Sequence, residues 1–471
     1  MPSSPTISTK KVFWLGLFSY AILAILAIVF YKERTIFADV AFRFFAMIKD
    51  GDYAIQVHRF GSFFTQSFLY LSHALGLPLK NIMINYSVGF IAYKALVFVL
   101  CFKVLRQPTL AITLLFTDIL IVAETFYWIQ SELVESITFI ILYFAVLKHI
   151  STKKLHLLRL LLVLGMLITV LFFHPLAFIL FLFMSLFSFL STEEATYKKY
   201  LVGGLPIAVI ILVVKSLYFK SPYDNSGISL MQNFINSFPN YLGLPSNYRF
   251  LTYVVQDYYF LPIFLFILLG YYRKHQLWLK FGVLASFFFG YLFLVNVCFP
   301  HNNVQFHMES FYMPLSLFVA LPFALDILPL VPKNRILILL SLVISCRLIH
   351  IGFQHQKFTD CLDWKRELLQ KTASSKNKKL AISAKHVPMD TLMLSWGSSY
   401  EFWMLSTIES GESRSVIIYD DRKRLTQWGK MKHTKLFITQ WGATLYQDLP
   451  KEYFNFQDTT TTYVDYNPQL H

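Results

Sequence analysis

About eleven apolar stretches recur through the first 352 residues, and this recurrence constrains the fold more than any other feature. They run over 13–31, 82–102, 109–127, 133–148, 156–173, 175–190, 200–219, 258–272, 277–298, 311–331 and 335–352. A helix needs roughly 17 to 25 such residues to cross the hydrocarbon of a bilayer, where its backbone polar groups must pair within the segment. The chain is 56% hydrophobic and 15% charged, against about 25% charged in soluble domains, so a water-soluble fold is excluded. With 18 Gly, 18 Pro and 4 Cys, disorder, collagen-like repeats and disulfide scaffolds are excluded too. The predicted class is a polytopic α-helical membrane protein with about eleven transmembrane helices.

Charge placement orients those helices. Of 42 basic and 27 acidic residues, 16 and 13 lie from Phe353 onward, so the basic excess belongs to the membrane part. It falls in short loops as a topology signal and forms no stripe suited to nucleic acid. A cytoplasmic N-terminus puts Lys10/Lys11, Lys103/Arg106, Lys148/Lys153/Lys154, Lys198/Lys199, Arg273/Lys274 and Lys333/Arg335 inside, as the positive-inside rule requires. This register makes 62–79 a helix lying on the outer surface and gives a long first outer loop, 32–81. Loops of that length are usually functional.

Residues 1–352 thus form the transmembrane domain. The tail, 353–471, has ordinary soluble composition, with strand-like runs at 380–383, 391–395, 415–419 and 435–439 and helical patterns at 400–409 and 421–431. It reads as a small α/β domain on the extracytoplasmic side, resting on the outer loops without supplying a catalytic base. The four cysteines show no CxxC or metal spacing.

Candidate chemistry gathers in the outer loops. Asp39 stands in an otherwise apolar stretch, where a carboxylate is costly unless paired or functional. Arg43, Asp50-Gly51-Asp52, His58 and Arg59 follow it. Asp-Gly-Asp is also ordinary turn chemistry, and each arginine reads equally as a snorkelling interfacial residue. The second outer loop carries Glu124, Tyr127, Trp128, Glu132 and Glu135; its aromatic rings suit a sugar face or a membrane-interface belt. His174, Arg249, His301, His307 and Glu309 lie on the same side. They suit polar substrate binding, a divalent metal or plain loop positions, and the His spacing matches no compact ligand signature. Lys94 and Asp118 fall within helices, where an ion pair is the economical reading and a proton path the functional one.

Asp39, then Met47 with Gly51-Asp52-Tyr53, then a helix ending at Leu75-Gly76-Leu77 before the span from Ile82 resembles the start of the GT-C membrane glycosyltransferases. The nearest pattern is that of the protein O-mannosyltransferase and lipid A aminoarabinose transferase group. His307-Met308-Glu309-Ser310-Phe311-Tyr312-Met313-Pro314 is similar to that group's Glu-x-Arg-Tyr-x-x-Pro segment. Three positions depart from the pattern: Val40 replaces a second acid, Phe64-Thr65-Gln66 stands for Lys-Pro-Pro, and Ser310 or Phe311 replaces an arginine. The resemblance implies inverting transfer of a sugar from a polyprenyl-phosphate donor to an acceptor on the outer face. Asp39 would be the base, Glu124 the second acid, and Arg43, Arg59 or Arg249 the phosphate partner. The expected setting is a bacterial inner membrane. A non-catalytic GT-C relative within an envelope or secretion complex, and a secondary transporter, are the competing readings.

Overall fold

The computed structural model describes residues 9–129, 131–153, 156–219, 221, 227, 229–375, 377–420 and 428–467. The chain opens with helix α1 (Thr9–Val29), the short α2 (Tyr31–Thr35) and α3 (Ala38–Asp50). Helix α4 (Phe63–Ala74) then turns at Gly76 and Pro78 into α5 (Leu79–Val99). At 12 residues α4 is about 18 Å long, too short to cross a bilayer. Next come α6 (Pro108–Thr117), α7 (Glu132–Ser151), α8 (Leu157–Phe173), α9 (Ala177–Ser191) and α10 (Ala195–Tyr218). Further along the chain come α11 (Pro245–Gln256), α12 (Phe260–Lys274), α13 (Trp278–Cys298), α14 (Gln305–Pro322) and α15 (Lys333–Phe353).

Among the described residues, seven helices are long and apolar enough to cross a membrane: α1, α5, α7, α10, α13, α14 and α15 with their extensions. Helices α11 and α12 meet at 95°, so the pair makes an eighth candidate only as a broken span. Helices α6, α8 and α9 are apolar but shorter than the predicted spans. His174 and Pro175, where the expected spans 156–173 and 175–190 meet, separate α8 from α9.

The largest departure is at 109–127, where an uninterrupted span was expected and the helix stops at Thr117. Asp118 ends it because its carboxylate is drawn sideways, to Lys94 at 2.8 Å and to the Tyr20 hydroxyl at 2.7 Å. The chain then runs buried and largely irregular to Ile129, with one 3-10 turn at Glu124–Phe126. Buried non-helical backbone is tolerable only where protein groups pair it, and three buried side chains do so. Arg347 donates to the carbonyls of Ile119 (2.8 Å) and Val122 (2.7 Å), and Arg34 donates to that of Phe126. Glu309 accepts from the Ala123 and Thr125 N–H groups at 2.7 and 2.8 Å.

Helix α15 runs almost directly into α16 (Gln356–Lys371), broken only around Gln354–His355, so the expected boundary at 353 falls between two helices in line. Strand β1 (Lys379–Ser383) pairs in parallel with β2 (Ser415–Tyr419), Leu380 opposite Val416, across the crossover helix α17 (Ser398–Ser410). Strands β3 (Leu436–Ile438) and β4 (Ala443–Leu445) form an antiparallel pair, and β5 (Val464–Asp465) joins β1 in parallel. The strand expected at 391–395 is instead a helical turn, Met389–Leu392, because Met393 takes a positive φ that ends any extended run. The helix expected at 421–431 lies mostly outside the described residues; Trp428–Lys432 forms a 3-10 turn.

Candidate active site

Helix α3 builds one wall of the site. Asp39 and Arg43 are one turn apart and share a face. The helix ends at Gly51, whose left-handed conformation (φ 65°) lets its N–H close back on the Met47 carbonyl at 2.9 Å. Asp50 and Asp52 are exposed beside this cap, Asp52 accepting from the Tyr53 N–H at 2.7 Å; the Asp-Gly-Asp segment serves as a turn.

Facing α3 is the first turn of α7. Glu132 holds two buried guanidiniums, Arg43 on one carboxylate oxygen and Arg59 on the other at 3.1 Å. Burial works against the charge on Arg43, but Glu132 overcomes it and raises its pKa. Glu135, one turn on, accepts from the Thr65 hydroxyl at 3.0 Å. Arg59 follows Val57 and His58, both at positive φ (44° and 60°), and Ala38 before Asp39 has φ 31°. Three of the six such non-glycine residues among those described thus flank this cluster, and backbone strain of this kind concentrates at functional sites.

Asp39 itself is partly exposed. Burial pushes its pKa up to about 6, with Arg43 and the Trp128 indole opposing and Glu132 adding. Arg43 Nη1 is buried with no hydrogen-bond partner. His174 accepts from the Leu176 N–H at 3.1 Å. Burial, with the nearby Arg59 acting the same way and Glu132 opposing, lowers its pKa to about 3, so its ring is neutral. Asp39, Arg43, Arg59, Trp128 and His174 are therefore gathered around Glu132.

The remaining predicted residues lie elsewhere. Glu124 is buried, ion-paired to Lys357 of α16 and accepting from the Phe306 N–H at 3.0 Å. Glu309, fully buried, is a peg for the irregular 123–125 backbone and also accepts from the Tyr258 hydroxyl at 3.1 Å. Tyr127 is fully buried and donates to the carbonyls of Ile351 and Gly352, so no sugar reaches its ring. Arg249 donates to the Asn302 carbonyl at 2.9 Å, and the Asn302 amide meets His307 Nδ1 at 2.6 Å. His58 and His301 are exposed. Among the described residues, no three His, Cys, Asp or Glu side chains converge to hold a metal ion.

The acid beside Asp39 is thus Glu132 and not Glu124. Glu132 was visible in the second outer loop as an acid opening an apolar run, but choosing it required the path of the chain from Asp118 to Ser131. Comparison with family models, with known proteins and with solved structures finds no match to this chain.

Proposed function

We propose that the chain is a membrane glycosyltransferase of the GT-C type, moving a sugar from a polyprenyl-phosphate-linked donor to an acceptor on the outer face. The observation that carries this reading is the gathering of Asp39 with Arg43, Arg59 and Glu132. In the proposed reaction the acceptor oxygen attacks the anomeric carbon, its proton passes to Asp39, and the bond from that carbon to the phosphate oxygen breaks with inversion. A carboxylate with a pKa near 6 is ionised at neutral pH and still basic enough to take that proton. The departing polyprenyl phosphate gains negative charge, and the unpaired Nη1 of Arg43 offers it a donor. Eleven crossings, an outer C-terminal domain and a bacterial inner membrane complete the proposal.

The secondary transporter draws on the interrupted α6 and the bent α11–α12 pair, since discontinuous helices hold substrates in such folds. Here the interruption at α6 is filled by Arg34, Arg347 and Glu309. The test is purified protein in lipid nanodiscs with a panel of undecaprenyl-phosphate sugars, following release of undecaprenyl phosphate. Donor-dependent release that Asp39→Asn abolishes supports the transferase. Absence of release with every donor removes it and leaves the non-catalytic relative or the transporter.

A further inference from the structure

Helix α3 begins without a cap of its own. Its N-cap residue, Phe37, has no side-chain acceptor for the free amides of the first turn. The acceptor comes from the C-terminal domain: the Ala38 N–H donates to Glu401 Oε1 at 2.6 Å. Glu401 lies on α17, 363 residues away in sequence, and its other oxygen is 2.9 Å from Lys365 Nζ of α16, both side chains being 1% exposed. The same stretch of the C-terminal domain presses on Ala38 directly. A Cβ added at Gly397 would sit 2.5 Å from Ala38 Cα, so only glycine allows the approach. Ala38 meanwhile holds a φ of 31°, a conformation kept only where the surroundings over-determine it. Along α3 the contact continues through Phe42 and Phe45, whose rings lie 5.4 and 5.0 Å from that of Tyr400. Residues 38, 42 and 45 thus form one face held by the C-terminal domain, and Asp39 and Arg43 the adjoining face turned to Glu132.

We infer that Glu401 is a positioning residue, a helix cap supplied across the domain boundary that fixes the start of α3 and with it the place of Asp39. This adds to the expectation that the domain rests on the outer loops without supplying a catalytic base. The inference rests on the reading of Asp39 as the base, but its test requires no sugar donor.

The test uses full-length protein in lipid nanodiscs and measures how carbodiimide modification of Asp39 depends on pH, by peptide mass spectrometry. Carbodiimide attacks the protonated carboxyl, so wild type should lose reactivity as pH rises through about 6. The titratable and charged groups around Asp39 are Arg43 on its own helix and Glu132 on α7, with Arg59 and the neutral His174 behind them. None is altered in the variants. Lys365→Met/Glu401→Gln keeps an acceptor for the Ala38 N–H without either charge, and should keep the wild-type profile. Lys365→Met/Glu401→Leu has the same charge and no acceptor; its midpoint should fall toward ~3.9, the ordinary aspartate value, with at least a ~10-fold drop in modification at pH 6. An unchanged profile in a folded Leu variant overturns the inference. If that variant fails to fold, Gly397→Ala decides: it must shift the midpoint the same way, and a wild-type profile there overturns the inference. A wild type that transfers no sugar counts against the proposed function alone.

Discussion

Asp39 and Glu132 are both acids at the head of a helix, and their surroundings give them different work. Glu132 is tied to two guanidiniums, and a carboxylate so held is a poor proton acceptor. Asp39 is partly desolvated and takes a pKa near 6. Asp39→Asn should therefore cut transfer by about two to four orders of magnitude with normal membrane levels, measured as initial rates against immunoblotted protein. In wild type the base must be ionised, so kcat/KM should rise about tenfold per pH unit up to about 6 and then level off; a rate already flat between pH 4 and 6 would refute Asp39 as the base. Glu132→Ala strands two buried charges and should cost about 3–5 kcal/mol, read as a lowered midpoint of thermal unfolding in detergent.

At the scale of elements, the interruption after α6 leaves buried polar backbone groups that find partners only partly within the backbone, and side chains from elsewhere pair the rest. Glu309 alone accepts from the Ala123 and Thr125 amides and from the Tyr258 hydroxyl. Glu309→Ala should destabilise the protein by at least ~3 kcal/mol, each stranded donor costing about 1–3. A loss of sugar transfer in that variant should go with a loss of folded protein, followed by size-exclusion chromatography. Glu124→Gln keeps an acceptor for Phe306 and puts a neutral group in the buried position, while Lys357, 56% exposed, keeps water for its ammonium, so no unpaired charge is buried and the transfer rate should stay within a few-fold of wild type.

For the whole molecule, sidedness decides whether the Asp39 cluster can meet a lipid-borne donor and an outer acceptor at all. Ser374, after α16, and Lys103, after α5, are both exposed. In intact cells Ser374→Cys should react with an impermeant maleimide and Lys103→Cys should not. The reverse pattern would place the cluster inside and remove the proposed reaction. The near-continuous α15 and α16 tie the C-terminal domain to the membrane part through a rigid helix and not a flexible linker, consistent with a domain that holds α3 in place.

Much of this was legible in the residues themselves. Hydrocarbon admits only backbone that pairs internally, and the long apolar runs announced all seven helices among the described residues that are long and apolar enough to cross a membrane. The Lys94–Asp118 pair, the turn at Gly51 and the strands at Leu380 and Val416 followed from local rules of charge, turn and alternation. The stop at Thr117 was not legible, because Asp118 leaves the helix for partners on α1 and α5, and hydropathy along one segment carries no information about its neighbours. Nor could the chain announce that Glu132 would gather Arg43 and Arg59, or that Glu401 would cap α3. The capping contact joins residues 363 positions apart. Composition and periodicity determine which segments must be buried; which charged side chains then meet is decided only when the helices pack and each buried charge must find a partner.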